Sequence, residues 1–301
     1  MSKEIEKRIN ERISKRISER ISERVYERMD DIWKRPVLLG EGTFSKVYRV
    51  TNSQSKELVV CKQSWQKHLA EREALILAKI KHPLFPVYKG MGEWKGIYCL
   101  FMEYIPGMNL RQYVNKRGKL SLERALDIVL ELSEGLLYLH ELSNAVIFRD
   151  LKPENVMIQQ DGRVRLLDLG CVYITGDKQN GLAGTRGYAA PEQLRAGGHV
   201  GMESDVYALG KLFHFMLTGQ DTFPCRYPKG VPRELQRLLA RALEVEPKKR
   251  VPDIRSFLAE LAIYKDKNPI KRLWKGKTVR NSEKKYNFYF KRNIIKGFNC
   301  F

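Results

Sequence analysis

The sequence predicts an α+β protein of two lobes, a small β-rich one followed by a larger helical one. Short β-type runs come first: Val37-Leu38-Leu39, Val47-Tyr48-Arg49-Val50, Leu58-Val59-Val60-Cys61 and Ile97-Tyr98-Cys99-Leu100-Phe101-Met102, separated by turn-rich stretches. After about residue 107 the apolar positions take up helical spacing. Strands followed by helices is the order of a segregated α+β fold.

The helical elements follow in turn. Residues 67–80 have a helical pattern, and Lys81-His82-Pro83 closes it. Ser121 is an N-cap for a helix with apolar positions 122, 125, 126, 129, 132 and 136. Residues 204–218 are apolar almost all round, which predicts a helix at a domain centre, stopped by Gly219. A further amphipathic helix covers about 232–244.

Two segments flank this core. Within residues 1–35, Ile5, Ile9, Ile13, Ile17, Ile21, Val25 and Met29 recur every four residues, as do six arginines from Arg8 to Arg28. A helix is expected, ended by Pro36. A period of 4 against 3.6 residues per turn winds the apolar stripe around the helix by about 40° per repeat. That disfavours a left-handed coiled coil and leaves a solvated extension or a self-association helix. Residues 265–301 hold 12 basic and 2 acidic side chains among Trp274, Tyr286, Phe288, Tyr289, Phe290, Phe298 and Phe301. A solvated tail, contact with an anionic membrane surface, nucleic-acid binding and docking onto the preceding domain are all compatible with that composition.

The whole chain has 301 residues, 55 Lys plus Arg against 35 Asp plus Glu, a formal charge of +20, and 43% hydrophobic residues. This excludes a wholly disordered or fibrous chain. No apolar run is long enough for a membrane span, and the charged N-terminus has no signal-peptide core. The five cysteines are scattered without CxxC spacing, which argues against a zinc site or disulfide framework. A cytoplasmic location is expected, peripheral at a membrane if the tail binds lipid.

The chemistry-bearing motifs start with Gly40-Glu41-Gly42-Thr43-Phe44-Ser45, between two strands. Its glycines allow close backbone approach to a phosphate, although alone such a stretch is more often a hairpin turn. No Gly-Lys-Ser/Thr and no helix follow it, so it is neither a Walker loop nor a dinucleotide fingerprint. Downstream come Lys62 at a strand end, Glu73 on the next helix, Phe148-Arg149-Asp150-Leu151-Lys152-Pro153-Glu154-Asn155, Asp168-Leu169-Gly170, and Ala190-Pro191-Glu192.

On these six ordered motifs, residues 36–264 resemble a eukaryotic-type protein kinase domain, with an N-lobe of about 36–105 and a C-lobe of about 106–264. The style of Gly187-Tyr188-Ala189-Ala190-Pro191-Glu192-Gln193 is similar to that of bacterial members. The resemblance implies ATP and Mg²⁺ as cofactors and protein substrates. It places Leu39, Gly40, Glu41, Gly42, Thr43, Phe44 and Ser45 over the phosphates. Lys62 would hold the phosphates and Glu73 would hold Lys62. Val47, Val60 and Met157 would enclose the adenine. Met102 would be the gatekeeper, Glu103 and Ile105 the hinge, and Asn109 would lie near the ribose. Asn155 and Asp168 would ligate Mg²⁺, Asp150 would take the acceptor proton, and Lys152 would sit at the transferring phosphate. Thr185 matches the threonine that contacts Asp150 and Lys152 in serine/threonine kinases, which implies Ser/Thr acceptors and autophosphorylation. Glu192 with Arg250, and Asp205, match structural residues of the family.

Four positions depart from the family pattern: Phe148 stands for His, Leu169 for Phe, Ser45 for the third Gly and Val60 for Ala. None removes a charge the chemistry needs. Arg149 would bind a phosphate on Tyr173, Thr175 or Thr185, or be satisfied without one. Cys171 is read as buried ahead of redox-active. A non-catalytic scaffold and a small-molecule kinase are the alternative readings. The intact metal ligands argue against the first, and Ala190-Pro191-Glu192 with Thr185 and Lys152 against the second.

Overall fold

The computed structural model describes residues 33–267 except 43, 95–96, 178–182 and 223–226. The expected repeat helix, Thr43 and the tail from 268 onward lie outside the described residues. The chain divides into two compact units at Leu258 and Ala259, and the contacts described below are within the first.

The smaller lobe is a five-stranded antiparallel sheet in the order β1-β2-β3-β5-β4. Its strands are β1 (Trp33–Glu41), β2 (Ser45–Asn52), β3 (Leu58–Ser64), β4 (Tyr88–Trp94) and β5 (Ile97–Glu103). Strand alternation sorts β3 cleanly. Val59 and Cys61 join Val50, Cys99 and Phe101 in a buried cluster on one face, so Val60 and Lys62 take the other. The cluster is closed by Trp33, stacked on Phe101 at 4.6 Å between ring centroids. With that contact Trp33, Lys34 and Arg35, ahead of Pro36, belong to β1. Pro36 falls in a register shift between Lys34 and Val37, beside Arg35 at φ +55°, on an edge strand. There its missing N–H interrupts no ladder. Helix α1 (Lys67–Lys79) buries Ala70, Ala74, Ile76 and Leu77, and with them the charged Glu73.

The larger lobe holds α2 (Leu110–Arg117), α3 (Leu122–His140), α4 (Met202–Thr218) and α5 (Arg233–Ala242), and α6 (Ile254–Lys267) runs across the boundary between the two units. Ser121 Oγ accepts the Arg124 N–H at 3.2 Å, as its N-cap position predicts. Ala125, Val129, Leu132 and Leu136 are buried on α3, as are Ile128 and Leu139. Helix α4 is buried from Ser204 to Leu217, apart from Tyr207. Gly219, left-handed at φ +74°, ends it by donating to Phe215 O. Short strands β6 (Met108–Asn109), β8 (Val156–Ile158) and β9 (Val164–Leu166) form a small sheet, and β7 (Val146–Ile147) pairs with β10 (Tyr173–Ile174). No helix among the described residues is long and apolar enough to cross a membrane.

The connection between the lobes passes close to β8. A Cβ on Gly107 would lie 2.4 Å from Ile158 O, a backbone atom that cannot swing away. Gly107→Ala is therefore expected to cost about 1–3 kcal/mol of stability through forced backbone displacement, read as a lowered urea midpoint at unchanged m-value.

Candidate active site

Two clusters of charged side chains face the region between the strands and the helices. The first joins Lys62 on β3, Glu73 on α1 and Asp168 after β9. Lys62 Nζ donates to Glu73 Oε1 and Oε2 at 2.9 and 2.7 Å and to Asp168 Oδ1 at 2.7 Å. Glu73 is buried, whereas the Asp168 side chain keeps 44% exposure. Burial pushes the Glu73 carboxyl up, against the pull of Lys62. Loss of solvent also works against the Lys62 charge, but Glu73 and Asp168 outweigh it and hold the ammonium above the ordinary lysine value. Desolvation would raise Asp168 too; the Lys62 ammonium and the Gly170 N–H instead hold it below the usual carboxylate range. Gly170 leaves this ion cluster little room. A Cβ on it would come within 3.0 Å of Asp168 Oδ1 and 3.3 Å of Lys62 Nζ.

The second cluster is carried by the loop after β7 and the segment before Ala190. Lys152 Nζ lies 2.8 Å from Asp150 Oδ2 and donates to Thr185 Oγ1 at 2.8 Å. Thr185 Oγ1 donates to Asp150 Oδ1 at 2.7 Å, which closes a triangle. Asn155 Nδ2 donates to Asp150 O and Oδ2 at 2.9 and 3.1 Å, so its Oδ1 is the atom left to meet a cation. Desolvation opposes the Lys152 charge, and Asp150 outweighs it, so Lys152 is held above its ordinary value. Cys171 is half-buried; burial, then Asp150 and Asp168, pushes its thiol up to about 11, so it is protonated at neutral pH.

The first turn of α4 anchors both loops. Asp205 is fully buried and accepts the Phe148 N–H at 2.7 Å, the Arg149 N–H at 2.9 Å and His140 Nε2 at 2.8 Å. It thereby holds Arg149 at φ +70°, left-handed backbone that a non-glycine residue seldom adopts. Ser204 Oγ donates to Glu192 Oε1 at 2.8 Å, and the Glu203 carbonyl accepts from Arg250 at 2.8 Å. Arg250 also grips Glu192 in a fork at 2.8 and 3.1 Å. Gln193 Nε2 bridges to Arg149 O at 2.8 Å and Ala183 O at 3.1 Å.

The remaining expected site residues lie around these clusters. Gly42 N–H donates to Ser45 O at 2.8 Å and closes the β1–β2 turn, with Leu39, Gly40, Glu41 and Phe44 exposed. Val47 and Lys62 are register partners, as are Val60 and Met102. Met102 and Ile105 are buried; Val47, Val60 and Met157 are half-buried. Glu103 donates its N–H to Val87 O at 2.9 Å, and its carboxylate receives Arg165 at 3.1 and 2.6 Å. Asn109 caps α2 instead of standing free: its Oδ1 accepts the Gln112 N–H at 2.8 Å. Sequence reasoning missed Arg165, Gln193, Ser204 and His140, whose partners are 10 to 80 residues away. Gln193 and Ser204 do sit beside the identified Glu192 and Asp205.

The donor set suits a nucleotide polyphosphate and a hard divalent cation. Asp168 and Asn155 offer oxygen ligands, Lys62 offers an ammonium, and a Cβ on Gly40 would meet no protein atom within 4 Å, so the loop backbone is open to close approach. A two-lobed fold with these clusters between a small sheet and a helical lobe defines a nucleotide-dependent phosphotransferase. Residues 33–273 match the protein kinase domain. The chain is 32% identical over 249 residues to CBL-interacting serine/threonine-protein kinase 19 of Arabidopsis thaliana, covering 72% of this chain and 50% of that protein. It is 32% identical over 215 residues to the human cAMP-dependent protein kinase catalytic subunit PRKX, covering 68% and 58%. It is 32% identical over 244 residues to serine/threonine-protein kinase ppk25 of Schizosaccharomyces pombe, covering 72% and 57%. It spans about half the length of these curated relatives. The chain belongs to the protein kinase family, of the eukaryotic type. The domain it carries is one that uses ATP.

Proposed function

We propose that the protein is a serine/threonine kinase that transfers the γ-phosphate of ATP to Ser and Thr hydroxyls of protein substrates, itself included. The observation that carries the reading is the closed triangle of Asp150, Lys152 and Thr185, next to Asn155 and distinct from the Lys62–Glu73–Asp168 cluster. Acceptor and nucleotide thus have separate sets of groups. Asp168 and Asn155 would hold a divalent cation, taken as Mg²⁺, which would supply neutralisation of phosphate charge. Lys62, kept charged by Glu73 and Asp168, binds and orients phosphate oxygens. Asp150 holds the acceptor hydroxyl in line and takes its proton as that oxygen bonds to the γ-phosphorus and the bond to the ADP oxygen breaks. Lys152 offsets the charge that develops beside it. Thr185 fixes the carboxylate that does this.

The test is transfer from γ-labelled ATP with Mg²⁺ to the protein itself and to a basic acceptor protein, followed by phosphoamino-acid analysis. Label on Ser or Thr is expected. Label on Tyr alone, or none while ATP still binds, would overturn the reading. A cytoplasmic location fits the dispersed thiols. The charge of residues 265–301 supports contact with an anionic lipid surface, to be read by salt-sensitive cosedimentation with phosphatidylserine vesicles; RNA binding in its place would point to nucleic acid. Self-association through residues 5–29 would appear as a mass above that of the monomer in light scattering.

A further inference from the structure

Arg111, in the first turn of α2, has two acidic partners, as many as Lys62. Its Nε donates to Glu154 Oε1 at 2.8 Å, one terminal nitrogen donates to Asp221 Oδ2 at 2.9 Å, and the other lies 2.9 Å from Asp221 Oδ1 and 3.2 Å from Tyr188 OH. Its guanidinium lies over the Phe215 ring, 4.3 Å from the centroid, and Tyr188 OH also donates to Asp221. Glu154 and Asp221 remain 44% and 50% exposed. Glu154 follows Lys152 by two residues and Tyr188 follows Thr185 by three. Both segments that build the acceptor site therefore converge on Arg111. An extended peptide advances about 3.3–3.6 Å per residue, so a chain offering its hydroxyl to Asp150 would carry its nearest flanking residues toward these two segments.

A half-exposed carboxylate held in a fork, Asp221, beside a second that accepts one N–H, Glu154, is what a guanidinium on a substrate would bind. Here the chain's own guanidinium binds them. Helix α2 does not need Arg111 for its start, because Asn109 and Gln112 already form a reciprocal cap. We propose that Arg111 is a specificity-determining residue: by occupying Glu154 and Asp221 beside the acceptor site, it directs the enzyme to acceptor sequences that lack a flanking arginine. The proposal rests on the kinase reading for its setting.

The test uses the full chain, Arg111→Gln and Arg111→Gln/Glu154→Gln. The probes are acceptor peptides carrying Arg or Gln at each of the three positions on either side of the acceptor. Wild type is expected to show no preference for arginine. Arg111→Gln is expected to gain about fivefold in kcat/KM for an arginine peptide, the size of an exposed ion pair. The gain should appear in KM and should vanish in the double variant. An unchanged preference in Arg111→Gln overturns the proposal. Glu154→Gln alone gives a second route that keeps Arg111 in place: it is expected to leave the preference flat, and a selective loss on arginine peptides would mean Glu154 already reads the substrate. Fluorescence anisotropy with the same peptides separates the two layers. Tighter arginine-peptide binding by Arg111→Gln without phosphate transfer by any form would sink the kinase reading and keep the assignment of Arg111. Transfer without that gain would do the reverse.

Discussion

Asp150→Asn is expected to lower phosphoryl transfer by about 10²–10⁴-fold, the range for loss of a positioned general base, with nucleotide affinity unchanged. Asp150 receives Thr185 Oγ1, Lys152 and Asn155 Nδ2, while Lys62, which would bind phosphate, is held by Glu73 and Asp168. An amide in place of the carboxylate keeps the volume but cannot take a proton, and it meets three donors with half the acceptor capacity. Thr185→Val should lose less, because Asp150 keeps its charge and its other two partners. The measurement is single-turnover transfer beside titration of a fluorescent ATP analogue. Full-rate transfer by Asp150→Asn would assign the proton to another group; loss of nucleotide binding along with transfer would make Asp150 structural.

Arg250→Met should destabilise the protein by about 3–5 kcal/mol, the cost of leaving one member of a buried pair without its partner. The Arg250 side chain has no exposure and that of Glu192 has 8%. Burial acts to raise the Glu192 carboxyl, but Arg250 and Ser204 outweigh it and hold it below the ordinary range. A depressed carboxyl contributes stability above its unfolded pKa of about 4.3 and loses that contribution as pH falls through the folded value. Wild type should therefore lose stability in acid below about pH 4.3 more steeply than Arg250→Met, whose deficit should be largest at neutral pH. Guanidinium melts across pH 3 to 7 read both effects. An equal deficit at every pH would mean that the cost is lost packing and not the ion pair.

Wherever chemistry demands fixed residue types at fixed spacing, the sequence was legible. Lys62, Glu73, Asp150, Asn155, Asp168 and Thr185 could be singled out because they sit in short motifs between elements of clear periodicity. Helix α3 was legible from its apolar period, α4 from being apolar almost all round, and β2, β3 and β5 as short β-type runs between turns. The two-residue strands β6, β7 and β10 were not, since two residues carry no alternation. Strand β4, Tyr-Lys-Gly-Met-Gly-Glu-Trp, was hidden by its glycines. Asn109 shows a different limit. Its position suggested a ligand contact, and Asn before Leu110 with Gln at 112 is also a capping box, which the side-chain oxygen forms. Arg111 and Arg165 gave no signal at all, because their meaning lies in Asp221 and Glu103, which only the fold brings near them.

Three consecutive residues at the start of α4, Glu203, Ser204 and Asp205, grip the loop after β7, the Glu192 turn and Arg250 together. Loosening that one helical turn would release both loops at once, so they form a single cooperative opening unit. The amides of Phe148 and Arg149 should then exchange with solvent deuterium at one common rate with the buried amides around Glu192, although Glu192 lies 44 and 43 residues further along the chain, and any change that frays this turn should accelerate both by the same factor.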